Sequence, residues 1–296
     1  MPTYYVSEAA RRLVTVALSG DGGDELWAGY GRHRFQREES RARRSLGRGG
    51  TLIGRMAGAL PVSMTGVRSL RRLALAEDAS YAHKHGRYLV EPEAKSRLYS
   101  GDFLAAVRGS DPLEPFRSAW RRCPSTDTVD RALYVDFMTY LPDDIMTKVD
   151  RMSMAVSLEA REPLLDHPLL ELSARIPSSL KLRNGTTKYL LRRLLERRVP
   201  RSILERRKQG FAAPVDAWLR GPLAPMADDL LMDGRLAGRG LFQQQEIARF
   251  WREHRSGQGD HHHRLWQLIM LELWFRRFVD GGRARVAAAP LLAQAV

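Results

Sequence analysis

Residues 13–18, Leu-Val-Thr-Val-Ala-Leu, form a continuous apolar, β-branched run that leads directly into Ser-Gly-Asp-Gly-Gly-Asp-Glu at 19–25. A run without polar alternation predicts a strand buried on both faces, as in a parallel sheet. The glycines that follow permit positive φ and close backbone approach, and the acidic residues suit the first turn of a helix. Strand, glycine turn and helix start in that order put free N–H groups and the positive end of a helix dipole where an anion is favoured. No second run reads as convincingly as a strand, and a lone parallel strand has nothing to pair with. Its partners are either hidden in the sequence or missing from it.

The rest of the pattern is helical. Helices are predicted over 4–12, 29–44 and a Leu/Arg/Ala-rich middle stretch. Between 141 and 157 the residues Ile145, Met146, Val149, Met152 and Val156 keep helical spacing, with Asp143 and Asp144 in the expected first turn. Another helix opens near Thr186, runs through Leu190, Leu191, Leu194 and Leu195, and ends before Pro200. Residues 264–279 are apolar on nearly every side, which predicts a buried helix, and their arginines and glutamate exclude a membrane span. Residues 1–280 read as one folded portion, and 281–296 as a loose tail.

The chain has 296 residues with a net charge of +14, 44% hydrophobic and 28% charged residues, which excludes disorder for most of its length. The excess of arginine invites a nucleic-acid reading. The arginines, however, are spread along the chain among Glu and apolar residues, and no RNA-binding or zinc-finger spacing accompanies them, so solvated helix faces are the expectation. One cysteine, Cys123, allows no internal disulfide and no Cys-rich zinc site. Glu8, Arg11 and Arg12 precede the first apolar run, unlike a secretory signal, and no uncharged run approaches the ~18 residues of a bilayer span. The expected location is cytoplasmic, without a membrane.

The glycine turn alone is a weak signal, since an acidic capped turn with no ligand has the same residues. With phosphate in it, Asp21 and Asp24 are the groups to recruit Mg²⁺, which prefers oxygen ligands and substrate phosphates. The series that follows is more specific. Ser19-Gly-Asp-Gly-Gly-Asp-Glu-Leu-Trp-Ala-Gly-Tyr30 is followed by Leu141-Pro-Asp-Asp, by Lys148-Val-Asp-Arg-Met-Ser-Met and by Ser157-Leu-Glu-Ala-Arg161. Pro163-Leu-Leu-Asp166, Lys188, Arg207-Lys-Gln-Gly-Phe211, Trp218-Leu219 and the stretch from Leu265-Trp266 to Trp274 complete it. In that order these segments resemble the asparagine synthetase family over nearly the whole chain.

The resemblance implies ATP-dependent activation of the aspartate side chain as β-aspartyl-AMP, release of pyrophosphate, and attack by ammonia derived from glutamine. It places Ser19 and Gly20 against the adenylate, gives Asp21 the acidic position associated with forming the acyl-adenylate, and gives Asp24 the position near Mg²⁺. Lys208 matches the lysine that approaches the reacting phosphates. Only six of the 48 basic residues are lysines, so Lys208 and Lys188 stand out from the arginine background. A mobile ammonium aimed at the charge gathering in adenylation stabilises that charge. Lys188 opens a helix, where a cation is unfavourable, which favours a ligand contact. Glu159, Arg161 and Asp166 fall in a region that shapes the pocket in the family, with a buried structural ion pair as the alternative. The adjacent His261, His262 and His263 lack the spacing of a metal site.

Two departures accompany the match. The family carries a glutaminase domain with an N-terminal cysteine ahead of the synthetase domain, and a Ser-Gly-Gly-x-Asp-Ser pyrophosphate loop upstream on the same sheet. Neither occurs in these residues. Glu162 also stands where an apolar residue is usual, and Leu164 where phenylalanine is common. The expectation is therefore a mostly α-helical chain: a truncated Rossmann-like ATP-pyrophosphatase domain, of the adenine nucleotide alpha hydrolase kind, with one remaining core parallel strand. Its glutaminase domain or subunit is expected upstream, and by itself the chain is expected to be inactive. The alternatives are a β-lactam synthetase-like or other amidotransferase paralogue, and a noncatalytic interaction protein.

Overall fold

A computed structural model describes residues 2–60, 64, 66–85, 92–205 and 213–280. The chain is mostly helical and divides into two compact units, one of residues 1–87 and 112–212, the other of 88–111 and 213–296.

In the first unit the Pro2–Arg11 helix leads into strand β1, Val16–Leu18, and then the short Gly23–Leu26 helix. A second strand, β2, Glu159–Arg161, pairs parallel to β1 in the register Val16 to Glu159, Ala17 to Ala160 and Leu18 to Arg161. The expectation of one remaining strand is thus corrected. Glu-Ala-Arg carries none of the β-branched signal of a strand, and pairing with β1 alone makes it one. The expectation that β1 is buried is corrected too: Val16 is 38% and Leu18 73% exposed. Strands of one sheet pair edge to edge, so β2 leaves the Val16 and Leu18 face of β1 open, and no third strand pairs with them among the described residues.

The predicted helices are found near their expected places, at Pro2–Arg11, Gly31–Leu46, Tyr189–Leu195 and His262–Phe278. The segment predicted as one helix from 141 begins earlier, at Asp136, as a π-helix to Met146, and continues as the α-helix Thr147–Met154. Asp143 and Asp144 consequently lie inside the wide helix and not in a first turn. The widened turn also tolerates Pro142, which has no N–H to give an α-helical ladder. Leu141, Ile145 and Val149 on this helix pack with Ala160 and Leu165, fixing it beneath β2.

The second unit holds an apolar core of Leu219, Leu231, Leu236, Ile247, Phe250, Leu265 and Ile269. Its His262–Phe278 helix buries Leu265, Leu268, Ile269 and Glu272, while Met270, Trp274 and Phe278 are 47%, 49% and 69% exposed. That corrects the expectation of burial on every side. Among the described residues no helix is long and apolar enough to cross a membrane.

Candidate active site

The glycine turn hangs from the end of β1. The Ser19 N–H donates to the Arg161 carbonyl at 2.8 Å, continuing the strand pairing one residue past Leu18. Gly22 then takes φ 82°, and a Cβ there would fall 2.2 Å from Leu165 Cδ2, so conformation and space both require glycine. Ser19 Oγ donates to Asp21 Oδ2, and the Asp21 N–H donates back to Ser19 Oγ at 3.3 Å. Ser19 and Asp21 stay half-buried at the carboxyl end of the strand, while Gly22, Gly23 and Glu25 are buried beneath them. Ligands of open α/β sheets sit at that end of the strands.

Asp24, from the first turn of the Gly23–Leu26 helix, meets Lys188 from a segment 164 residues on. Lys188 Nζ lies 3.0 Å from Asp24 Oδ1. Lys188 is the left-handed residue, φ 51°, that caps the Tyr189–Leu195 helix, and its N–H donates to the Trp27 carbonyl at 3.0 Å. Gly29 leaves the room for this pair: a Cβ there would lie 1.8 Å from Asp24 Oδ1 and 2.4 Å from Lys188 Cε. The ammonium at a helix start is therefore balanced by a carboxylate in the same turn as Ser19, Gly20 and Asp21. The Asp24–Lys188 pair and the Ser19–Asp21 pair each join residues singled out in the sequence. Lys208 lies outside the described residues.

The structure adds Glu162, which directly follows β2. Burial raises its carboxyl, and the charges of Asp21 and then Asp150 raise it further. The sequence signal was its departure from an apolar position. Glu159 and Arg161 do pair, at 2.6 Å, but are 52% and 63% exposed, which corrects the buried-pair alternative. Asp166 is exposed at the start of the His167–Arg175 helix.

Asp21 and Glu162 interact by charge at the carboxyl end of the two-stranded sheet, and Asp24, three residues on from Asp21, is paired with Lys188. Oxygen donors of this kind suit Mg²⁺, which commonly takes one or two carboxylates and completes its shell with water and phosphate. Lys188 already compensates one oxygen of Asp24, so the donor set fits a cation that arrives with phosphate oxygens better than a cation held by protein alone.

Another cluster, Asp216, His254 and Asp260 in the second unit, has ligand atoms close together. Arg220 Nη2 already sits 2.9 Å from Asp216 Oδ1, and His254 Nδ1 accepts the His261 N–H at 3.4 Å. The cluster is an ion pair beside a buried imidazole. His261 and His262 are turned to carboxylates, Glu253 at 2.6 Å and Asp260 at 2.5 Å.

A family model described as Asparagine synthase matches residues 1–276. The chain is 34% identical over 298 residues to a putative asparagine synthetase (glutamine-hydrolyzing) of Mycobacterium tuberculosis, covering 95% of this chain and 42% of that protein. It is 28% identical over 285 residues to asparagine synthetase (glutamine-hydrolyzing) 1 of Bacillus subtilis, covering 93% and 42%. It is also 29% identical over 164 residues to the asparagine synthetase (glutamine-hydrolyzing) of Gallus gallus, covering 50% and 28%. The chain spans less than half the length of these curated relatives.

Proposed function

The chain belongs to the asparagine synthase family, and from that premise we propose that it carries the adenylate-binding side of an ATP-dependent, amide-forming ligase that converts aspartate to asparagine through β-aspartyl-AMP. The observation that carries the reading is the Asp24–Lys188 pair at 3.0 Å, set under a glycine turn at the carboxyl end of a parallel strand. A Rossmann-like ATP-pyrophosphatase sheet accounts for that position. In such a sheet further strands pair along the edges of β1 and β2, and helices cover the faces.

In this reading Ser19 and Gly20 lie against the adenylate, where the turn lets the backbone approach closely. Asp21, held by Ser19, faces the acyl-adenylate as it forms. Lys188 orients a phosphate and keeps Asp24 from repelling it. Mg²⁺ held by Asp24 would offset charge on the phosphates. Lys208 brings its ammonium to the charge that develops as the aspartate carboxylate displaces pyrophosphate. Ammonia then displaces AMP; in the full-length relatives' names glutamine is the compound hydrolysed, which suits a glutaminase domain or subunit as its source.

The test is Mg²⁺-dependent binding of ATP to the chain by titration calorimetry, followed by aspartate-dependent pyrophosphate release with ammonia supplied. Saturable ATP binding that requires Mg²⁺ and is lost in Asp24→Asn is expected. Turnover is expected to be low, because no Ser-Gly-Gly-x-Asp-Ser segment to hold the leaving pyrophosphate occurs in these 296 residues. Absence of Mg²⁺-dependent ATP binding overturns the reading and favours a noncatalytic role.

A further inference from the structure

Asp136 opens the π-helix and is fully buried. Its Oδ2 accepts from Arg32 Nε at 2.9 Å and lies 2.7 Å from His33 Nε2. Its Oδ1 accepts from the Tyr81 hydroxyl at 2.8 Å and lies 2.7 Å from His85 Nε2. Burial by itself would raise this carboxyl, but Arg32 and the ring donors outweigh it and hold the group well below the usual carboxylate range. Burial pushes His33 down, so its ring is a neutral donor and Arg32 is the counterion.

Arg32 does more than neutralise. Its guanidinium lies 3.8 Å from the centre of the Tyr30 ring and 4.7 Å from that of Tyr140, and the two rings meet edge to face at 5.8 Å. The Tyr30 hydroxyl donates to Glu25, which is 1% exposed and adjacent to Asp24. Four side chains, Asp136, Arg32, Tyr30 and Glu25, thus connect a buried carboxylate to the acidic turn. We infer that Arg32 is a positioning residue for that turn: pinned by Asp136, it clamps Tyr30 and Tyr140, and through Glu25 it fixes the direction of Asp24. The inference rests on the turn being a nucleotide site, but the clamp itself can be measured without nucleotide.

A mere fold-holding ion pair needs the charge of Arg32, whereas the clamp needs its plane. Lysine keeps the first and loses the second. Three full-chain variants, Arg32→Ala, Arg32→Lys and Tyr30→Phe, separate the two roles by melting temperature, Mg·ATP affinity and hydrogen exchange of the amides of residues 20–29. Arg32→Lys should melt within ~2 °C of the parent. Its ATP affinity should still fall at least ~10-fold, and its turn amides should exchange at least ~10-fold faster while the Gln244–Ser256 helix is unchanged. Tyr30→Phe should reproduce both losses with the ion pair intact. If affinity and turn exchange in Arg32→Lys return to parent values along with the melting temperature, the positioning role is overturned. If the parent binds no ATP, the nucleotide reading fails, and turn exchange alone decides: unaltered exchange in Arg32→Lys and Tyr30→Phe overturns the clamp, and faster exchange in both sustains it. Should Arg32→Ala fail to fold, the other two variants still decide.

Discussion

Lys188 holds Asp24 by its side chain, Nζ to Oδ1 at 3.0 Å, and holds the end of the same short helix by its backbone, through the Trp27 carbonyl at 3.0 Å. The two contacts have separable consequences. Lys188→Met leaves the N–H in place and removes only the ammonium. Both partners are part-exposed, so the stability loss is expected to be about 1 kcal/mol or less. The proposed phosphate contact goes with the ammonium, so Mg·ATP binding in calorimetry is expected to weaken about 10-fold, which is about 1.4 kcal/mol. An affinity that falls no further than stability does would return Lys188 to a structural role.

Gly29 is the space that pair occupies. Gly29→Ala places a methyl 1.8 Å from Asp24 Oδ1, and Asp24 cannot swing aside without leaving Lys188. Overpacking of this kind costs about 1–3 kcal/mol, read as a lower denaturant midpoint. Gly49 in the Arg48–Met56 helix makes the comparison, since nothing lies within 4 Å of its added Cβ. Gly49→Ala should stabilise by about 0.5–1 kcal/mol, and two shifts of the same sign would contradict the packing at Gly29.

Glu39 gives the first unit an acid-sensitive point. Burial works to raise its carboxyl, but Lys84, Ser80 and Arg43 converge on it and hold it down at about 2. A carboxyl depressed in the folded state stabilises fully above its ordinary value of 4.5, and the gain is lost as pH falls from there toward 2. Unfolding followed by circular dichroism should show stability decreasing by up to about 3 kcal/mol across that window. Glu39→Gln should flatten the slope, leaving the share owed to Asp136 and to other carboxyls held down by their partners, such as Glu246 and Asp260, which titrate in the same direction. An unchanged slope in Glu39→Gln would remove Glu39 from the account.

The residues that announced the site were those whose local chemistry is unusual: three glycines and acidic groups after an apolar run, and lysines in an arginine-rich chain. Helices were legible from period alone. β2 was not, because Glu-Ala-Arg becomes a strand only through its partner. The π-helix was not, because Asp143, Asp144 and Pro142 look like a helix start. The pairing of Asp24 with Lys188 and of Arg32 with Asp136 spans more than a hundred residues, which no periodicity encodes.

Lys208 is the remaining lysine of the proposed chemistry. In a preparation that releases pyrophosphate with aspartate and ammonia, Lys208→Ala should lower kcat by about 10²–10³ and change ATP affinity by less than ~3-fold, because a charge aimed at the transition state acts differentially there. Lys208→Arg should rescue little, since a planar guanidinium presents its donors differently from a compact ammonium. Arg206→Ala, two residues away in the same basic run, is the control and should stay near parent activity. Equal losses in the two alanine variants would mean that the run acts only through its summed charge, and an unimpaired Lys208→Ala would remove the residue from the reaction altogether.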